Sequence, residues 1–311
     1  MTHVATLVGA PGAQALTPDL LSAAAARLPG SGGAVILSPL EAADIPFAPG
    51  AAHGNRADAA FADAAYCRAA VSVLRLGLGD APVDIFVQPI EGRRKRLLLA
   101  DMDSTMIEQE CIDELADFVG LKEQVAEITE RAMRGEIAFE PALRERVQLL
   151  AGLDAGVVDE AIAHRISLTP GGRTLVQTMR ADGAYTALVS GGFTLFTARI
   201  GEALGFHENR ANTLLIENGK FVGRVVEPIL GKAAKLATLK ELAETHGLAP
   251  DETLAIGDGA NDLAMLEQAG LGVAFHAKPT VAAAAQARVD HGDLTALLYA
   301  QGFAAHEFVT E

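Results

Sequence analysis

The stretch LLLADMDST, residues 97–105, decides the fold of this chain. Four apolar residues are followed at once by Asp101 and Asp103, two carboxylates that are two residues apart. If the apolar run is a buried strand, both acids lie at the carboxyl end of a sheet, where open α/β folds bind their ligands. We therefore predict that the run is the first strand of a parallel sheet and that a functional site begins at Asp101.

The chain after residue 169 alternates between helical and strand-like patterns. These segments are 174–180, 185–189, 193–204, 233–246, 253–256, 262–268, 272–275 and 281–287, with a hairpin around Asn218-Gly219. Repeated strand and helix units predict an α/β fold, a Rossmann-like parallel sheet with helices on both faces. We assign residues 93–106 and 169–311 to this core.

Residues 107–168 follow the first strand and have a different pattern. Apolar residues recur there at helical spacing through four consecutive segments, and we find no strand pattern between them. An insert at this point would overhang the carboxyl ends of the strands. We therefore predict a small helical cap that covers a ligand site.

Residues 1–92 are predicted to form a separate α+β domain. Strand-like and helical segments alternate as 4–8, 18–28, 34–37, 57–77 and 83–87, and the Pro-, Gly- and Ala-rich range 38–55 favours a long loop. This order suits a ferredoxin-like layer, similar to an ACT domain that binds an amino acid or dimerises. The basic run 93–96 marks the predicted boundary.

The composition of the chain argues against several classes of protein and of partner. The 311 residues carry a net charge of −15, which argues against a partner such as nucleic acid or an anionic membrane surface. Cys67 and Cys111 are far apart in the sequence, so we expect no disulfide framework and a reducing cytoplasmic location. The N-terminus lacks the basic start of an export signal, and no apolar run is long enough for a membrane span. A homodimer is compatible with these features.

Three polar clusters follow predicted strands at 101–105, 190–193 and 257–262, and a parallel sheet brings them to one edge. Up to four carboxylates would meet there, which is unfavourable unless a cation compensates them. Hard oxygen ligands without His or Cys favour Mg²⁺. The acids concerned are Asp101, Asp103, Asp258 and Asp262.

An anion site is predicted beside these acids. Ser190 and the glycines after it open a predicted helix, where a hydroxyl and backbone N–H groups can face an anion. Lys232 or Lys235 could add a positive charge. Each feature alone would more often be a turn or a solvated helix face. Together they suit phosphoryl transfer, in which positioning and charge neutralisation dominate.

In this combination the motifs DMDST, SGGF and GDGAND resemble those of the haloacid dehalogenase-type phosphatase superfamily, and within it the phosphoserine phosphatases, over about residues 96–295. The resemblance implies that Asp101 is a nucleophile that becomes an aspartyl-phosphate. Asp103 would be the general acid and then the general base, while its backbone carbonyl helps to hold Mg²⁺. Asp258 would complete the metal ligands, and Asp262 would orient Lys235 or a metal-bound water.

The resemblance also implies a phosphate site and a substrate site. Spacing back from Gly257 selects Lys235 rather than Lys232, and the implied phosphate ligands are Ser190, Gly191, Lys235 and Asn261. In the cap, the resemblance implies that Glu110 meets a substrate ammonium, that Arg146 grips a carboxylate, and that Met133 and Phe139 exclude water. Without the resemblance, the first two would be surface charges and the last two ordinary core.

The function that the resemblance implies is Mg²⁺-dependent hydrolysis of O-phospho-L-serine to L-serine and phosphate, the last step of serine biosynthesis. One alternative is a broader small-molecule phosphatase, or a phosphotransferase that passes the phosphoryl group to another alcohol. An alternative of another class is a non-catalytic protein that senses an amino acid through residues 1–92. The presence of both a candidate nucleophile and a candidate proton donor argues against this last reading.

Overall fold

The computed structural model describes residues 1–49, 59–133 and 136–310, and the side chains of all of these except 59–63 and 133. The described residues form a four-stranded sheet, a six-stranded sheet and a two-stranded hairpin. No helix among them is both long and apolar enough to cross a bilayer.

The first sheet belongs to the N-terminal part of the chain. Its elements are β1 (His3–Gly9), α1 (Pro18–Ala25), β2 (Val35–Ser38), β3 (Ala42–Phe47), α2 (Ala59–Leu78) and β4 (Val83–Pro89). The strands lie in the order β2-β3-β1-β4 with antiparallel neighbours. This is the β-α-β-β-α-β order of ferredoxin-like layers, so the predicted α+β architecture is confirmed.

Strand β3 corrects the prediction of a loop over 38–55. Ala42–Phe47 pairs with β1 along its length and contributes buried residues to the core, although its composition resembles that of a turn region. Pro46 is tolerated because the ladder with β2 has already ended at Asp44. Residues 48 and 49 continue without helix or strand, and the rest of the predicted loop, 50–55, lies outside the described residues.

Most of the remaining elements lie where the sequence predicts them. Strands at Glu208–Asn212 and Ala287–Val289 and a helix at Ala296–Ala300 were not predicted, and the helix predicted over 281–287 ends at Ala284. The elements are β5 (Leu97–Ala100), α3 (Cys111–Asp117), α4 (Lys122–Met133), α5 (Phe139–Gln148), α6 (Val157–His164), α7 (Gly172–Ala181), β6 (Tyr185–Phe193), α8 (Thr194–Leu204), β7 (Glu208–Asn212), β8 (Leu214–Glu217), β9 (Lys220–Val225), α9 (Lys232–Thr245), β10 (Thr253–Gly257), α10 (Leu263–Gln268), β11 (Leu271–Phe275), α11 (Pro279–Ala284), β12 (Ala287–Val289) and α12 (Ala296–Ala300). The sheet order is β12-β11-β10-β5-β6-β7, and every pair is parallel. The α/β class is therefore confirmed.

The four helices α3 to α6 lie between β5 and β6 in the chain, where the cap is predicted. The β8–β9 hairpin contacts them through backbone hydrogen bonds: Gly152 N donates to Phe221 O at 2.9 Å, and Ala155 N donates to Gly219 O at 2.8 Å. The cap is thus bonded to the hairpin as well as continuous with β5.

The N-terminal layer is packed directly on the core. Val8 and Phe86 share one buried apolar cluster with Leu298 of α12. At the edge of this interface, the fully buried Asp84 accepts hydrogen bonds from the backbone N–H groups of residues 290–292, at 2.7–3.3 Å. Arg93 of the basic run donates to Asp44 of β3 at 2.7 Å. The region predicted as a boundary therefore holds the two parts together.

We expect Asp84→Ala to lower the free energy of unfolding by about 2–3 kcal/mol, because three backbone N–H groups, one of them buried, lose a charged acceptor. Urea unfolding measures this as a lower midpoint at an unchanged slope. The exposed Asp80, in the turn before β4, provides a control, and Asp80→Ala should change stability by less than about 0.5 kcal/mol. Equal midpoints for the two variants would contradict the role given to Asp84.

Candidate active site

The three polar clusters converge at one edge of the parallel sheet. Ala100 at the end of β5 pairs with Leu188 of β6 and with Ile256 of β10. Asp101 and Asp258 leave the sheet one or two residues beyond these pairs, and Ser190 lies at the same level. The predicted convergence is confirmed.

Asp101 and Lys235 form a buried ion pair. The Asp101 residue is 4% exposed and Lys235 is 1% exposed. Lys235 Nζ lies 2.7 Å from Asp101 Oδ1 and 2.6 Å from Asp262 Oδ1. Burial alone would lower the pKa of Lys235, but the two carboxylates outweigh it and raise the pKa. Lys232 is exposed, so the structure brings Lys235, and not Lys232, to the acids.

Asp262 is fixed from two sides. Its Oδ1 accepts from Lys235, and its Oδ2 accepts from Gly259 N at 3.1 Å. Burial and the charge of Asp101 raise its pKa to about 7. A Cβ at Gly257 would stand 2.4 Å from Asp262 Cγ, so residue 257 must be Gly for this carboxylate to fit. We did not single out Gly257 as a site residue, although the GDG pattern marked it.

The acids at the edge of the sheet could hold a metal ion. Asp101, Asp258 and Asp262 each place one carboxylate oxygen within 4.8 Å of the others. Burial and the Asp101 charge raise the pKa of Asp258 to about 6, a cost that a cation would relieve. Because both oxygens of Asp262 are already bonded, one to Lys235 and the other to Gly259 N, the carboxylates of Asp101 and Asp258 are the better donors. An all-oxygen set of this kind fits a hard cation.

Asp103 is held by hydrogen-bond donors on both of its oxygens. Its Oδ1 accepts from Cys111 N at 2.9 Å, and its Oδ2 accepts from Ser190 Oγ at 3.0 Å. Burial and the Asp101 charge raise the pKa of Asp103. A Cβ at Gly192 would lie 2.7 Å from Asp103 Oδ2. Gly192 was predicted only to offer its N–H group to an anion, and its close approach to Asp103 was not foreseen; Cys111 was missed by the sequence analysis, since the motifs gave no sign of it.

The Ser190 loop corrects one local prediction. The hydroxyl of Ser190 accepts from Gly192 N at 2.8 Å, as expected of a polar turn. Residues 190–192, however, belong to β6, and helix α8 begins only at Thr194. Phe193 still pairs with Asn212 of β7, and this pairing carries the extended backbone past the glycines. The residues predicted to bind an anion therefore lie at the end of a strand and not in the first turn of a helix.

Glu110 and Arg146 approach the site from the cap. Glu110, directly before α3, accepts from Ser104 Oγ at 2.8 Å. The protein around its carboxyl and the charge of Asp103 raise its pKa, although the residue as a whole is exposed. Burial lowers the pKa of the half-buried Arg146, while the charges of Asp113, Glu110 and Asp103 oppose the shift. The structure thus brings both predicted cap charges to the acidic site.

The remaining predicted site residues are Phe139, Asn261 and Met133, and only the first two have described side chains. The Phe139 ring reaches the Ser190 loop, since a Cβ at Gly191 would lie 3.3 Å from its Cζ. Asn261 is half-buried in the turn beside Asp262. Met133 is the last residue of α4, but its side chain lies outside the described residues. Phe139 therefore connects the cap with the predicted phosphate loop.

Comparisons with known proteins agree with this geometry. A family model of haloacid dehalogenase-like hydrolases matches residues 98–267, more than half of the chain. The chain is 45% identical over 225 residues to a phosphoserine phosphatase of Archaeoglobus fulgidus. That match covers 72% of this chain and 64% of the relative, so the chain spans less than two thirds of that protein's length.

Two solved structures are similar to this one. A haloacid dehalogenase family hydrolase from Salmonella enterica serovar Typhi is 27% identical, with a TM-score of 0.77 over 96% of this chain and 99% of that chain. A phosphoserine phosphatase described as a phospho-aspartyl intermediate analogue is 40% identical, with a TM-score of 0.62 over 66% of this chain and 98% of that chain. The first similarity includes the N-terminal layer.

Proposed function

The chain belongs to the haloacid dehalogenase-like hydrolase family, and from this premise we propose that it hydrolyses O-phospho-L-serine to L-serine and phosphate through an aspartyl-phosphate. One observation carries the proposal. The buried Asp101–Lys235 pair, suited to phosphoryl transfer, lies beside a cap that contributes one acid and one guanidinium. These two cap charges match the ammonium and the carboxylate of an amino acid.

In the first step, Asp101 attacks phosphorus. Its Oδ1 accepts from Met102 N at 2.8 Å and from Lys235 Nζ, so Oδ2 is left to form the new bond. As the bond from phosphorus to the serine oxygen breaks, Asp103 donates a proton to that oxygen. The raised pKa of Asp103 favours the protonated form that this step needs. Lys235 and the Ser190 hydroxyl would stabilise the negative charge on the phosphoryl oxygens.

In the second step, the aspartyl-phosphate is hydrolysed. Asp103, now ionised, removes a proton from water while the water oxygen bonds to phosphorus and the bond to Asp101 breaks. The hydrogen bonds from Cys111 N and Ser190 Oγ stabilise this ionised form. Phosphate leaves, and Asp101 returns to a carboxylate beside Lys235.

We propose Mg²⁺ as the metal, held by the carboxylates of Asp101 and Asp258 and by the backbone carbonyl of Asp103. The all-oxygen donor set and the raised pKa of Asp258 support this choice. When bound, the ion would neutralise charge on the phosphoryl group. Asp262 would act from the side, by orienting Lys235.

We expect Mg²⁺ affinity to fall about tenfold for each pH unit below about 6, because the protonated Asp258 carboxyl is a poor ligand. Above pH 7 the affinity should be nearly constant. Calorimetric titration of the substrate-free protein between pH 5 and 8 measures this without using activity. Asp258→Asn should bind weakly at every pH in this range. A wild-type affinity for Asp258→Asn at pH 7.5 would exclude Asp258 as a ligand.

A panel of phosphate esters tests the proposed function. Phosphoserine, phosphoethanolamine and p-nitrophenyl phosphate are compared in Mg²⁺, with and without an acceptor alcohol. A strong preference for phosphoserine supports the proposal. Equal rates would indicate a broader phosphatase, and transfer to the alcohol would indicate a phosphotransferase. No release of phosphate from any ester would indicate a non-catalytic protein.

The metabolic step and the cellular location that we propose follow from the proposed reaction. If the product is free L-serine, the enzyme performs the last step of serine biosynthesis, and we propose that it does so in the cytoplasm, in line with Cys67 and Cys111, which are not joined in a disulfide. A homodimer, an amino-acid site in residues 1–92 and the domain boundaries given above stay predictions.

A further inference from the structure

The guanidinium of Arg146 is held by neutral acceptors. Its Nη1 donates to Thr129 Oγ1 at 3.2 Å, and its Nε donates to the backbone oxygen of Ala142 at 3.2 Å. Arg146 forms no ion pair with any described residue, although its charge interacts with those of Asp113 and Glu110. A half-buried cation with no bonded anion among the residues that the structure describes is a ready site for the anion of a ligand.

Thr129 is itself oriented before it meets Arg146. Its hydroxyl donates to the backbone oxygen of Val125, one turn earlier in α4, at 2.9 Å. The hydroxyl hydrogen is therefore already used in a hydrogen bond, and a lone pair of the same oxygen remains to accept from Arg146. This contact joins helix α4 to helix α5, so it fixes the guanidinium relative to the cap and not only to its own helix.

The two contacts determine which donors remain. Nε is bonded to Ala142 O and one Nη1 hydrogen is bonded to Thr129, so the other Nη1 hydrogen and both Nη2 hydrogens are left. Nη1 and Nη2 together can grip a carboxylate end-on with two parallel hydrogen bonds. Without the Thr129 acceptor, Arg146 would be free to turn toward Asp113 or Glu110, and this would remove it from the ligand.

We infer that Thr129 is a positioning residue that holds Arg146 ready for the substrate carboxylate, and that it thereby sets the preference for phosphorylated amino acids over phosphate esters without a carboxylate. The inference rests on the proposed function, in which Arg146 binds that carboxylate. Thr129 does not itself touch the reacting atoms; it acts through the side chain of Arg146.

The test compares Thr129→Val, which removes the hydroxyl at nearly constant volume, with Thr129→Ser, which keeps it. Thr129→Val should raise KM for phosphoserine about five- to tenfold and leave kcat within about twofold. Phosphoethanolamine, which keeps the ammonium and lacks the carboxylate, should show unchanged constants with both variants. Thr129→Ser should stay within about twofold of the wild type on phosphoserine.

Several outcomes would overturn the inference. Equal changes on the two substrates would indicate a merely structural role, and a Thr129→Ser variant as impaired as Thr129→Val would exclude the hydroxyl. If Arg146→Ala raises KM for phosphoserine but Thr129→Val does not, positioning by Thr129 is wrong while the proposed function stands. If the wild type does not distinguish the two esters, the proposed function itself fails. Matching melting temperatures establish that the variants are folded.

Discussion

Asp101→Asn is expected to abolish phosphate release, with kcat lowered by about 10⁴-fold, because the carboxamide cannot form the aspartyl-phosphate. The replacement is nearly isosteric, and its oxygen can still accept from Met102 N and Lys235. The loss should therefore appear in the chemical step. Rapid-quench experiments with ³²P-labelled phosphoserine should show labelled protein for the wild type and none for the variant.

The control for this experiment is Asp80→Asn, an identical change at an exposed site, which should keep full activity. Lys235 retains Asp262 as a partner in the Asp101→Asn variant, so thermal unfolding should change little. Substantial activity in that variant, with phosphate still attached to the protein, would mean that another residue is the nucleophile. Substantial activity without labelled protein would point to direct attack by water.

The parallel sheet could be predicted because its central strands are short, continuous apolar runs. A strand buried on both faces needs such a run, and the residues 97–100, 187–189 and 254–256 provide one in each strand. The edge strand β7, by contrast, reads Glu-Asn-Arg-Ala-Asn and has no apolar pattern. It forms a strand because its backbone pairs with that of β6. This pairing is a tertiary contact, and a short stretch of sequence carries no information about it.

The core of the site could be predicted for a related reason. Parallel topology alone brings Asp101, Ser190 and Asp258 to one edge, whatever the details of packing. Contacts made by the cap are another matter. The hydrogen bond from Arg146 to Thr129 depends on how α4 and α5 rotate and cross, and the bond from the backbone N of Cys111 to Asp103 depends on where α3 begins. No spacing rule in the sequence determines those angles.

Arg146→Ala is expected to raise KM for phosphoserine about 100-fold and to change KM for phosphoethanolamine by less than about threefold. The reason is that two charge-assisted hydrogen bonds to the substrate carboxylate, worth together about 3 kcal/mol, are lost from only one of the two substrates. Steady-state kinetics on both esters measures the ratio directly. An equal rise in KM for the two substrates would show that Arg146 supports the cap structure and does not bind the carboxylate.

Helix α5 offers a matched control for this change. Arg144 lies two residues earlier, is exposed, and pairs with Glu227 at 2.8 Å and with Glu140 at 3.5 Å. Arg144→Ala removes the same side chain from the same helix and should leave both substrates unaffected, since surface ion pairs contribute little. Arg146→Lys should be intermediate on phosphoserine, because an ammonium keeps the charge but lacks the planar fork that binds a carboxylate with two hydrogen bonds. The order wild type, Arg146→Lys, Arg146→Ala would then separate the contribution of charge from that of geometry.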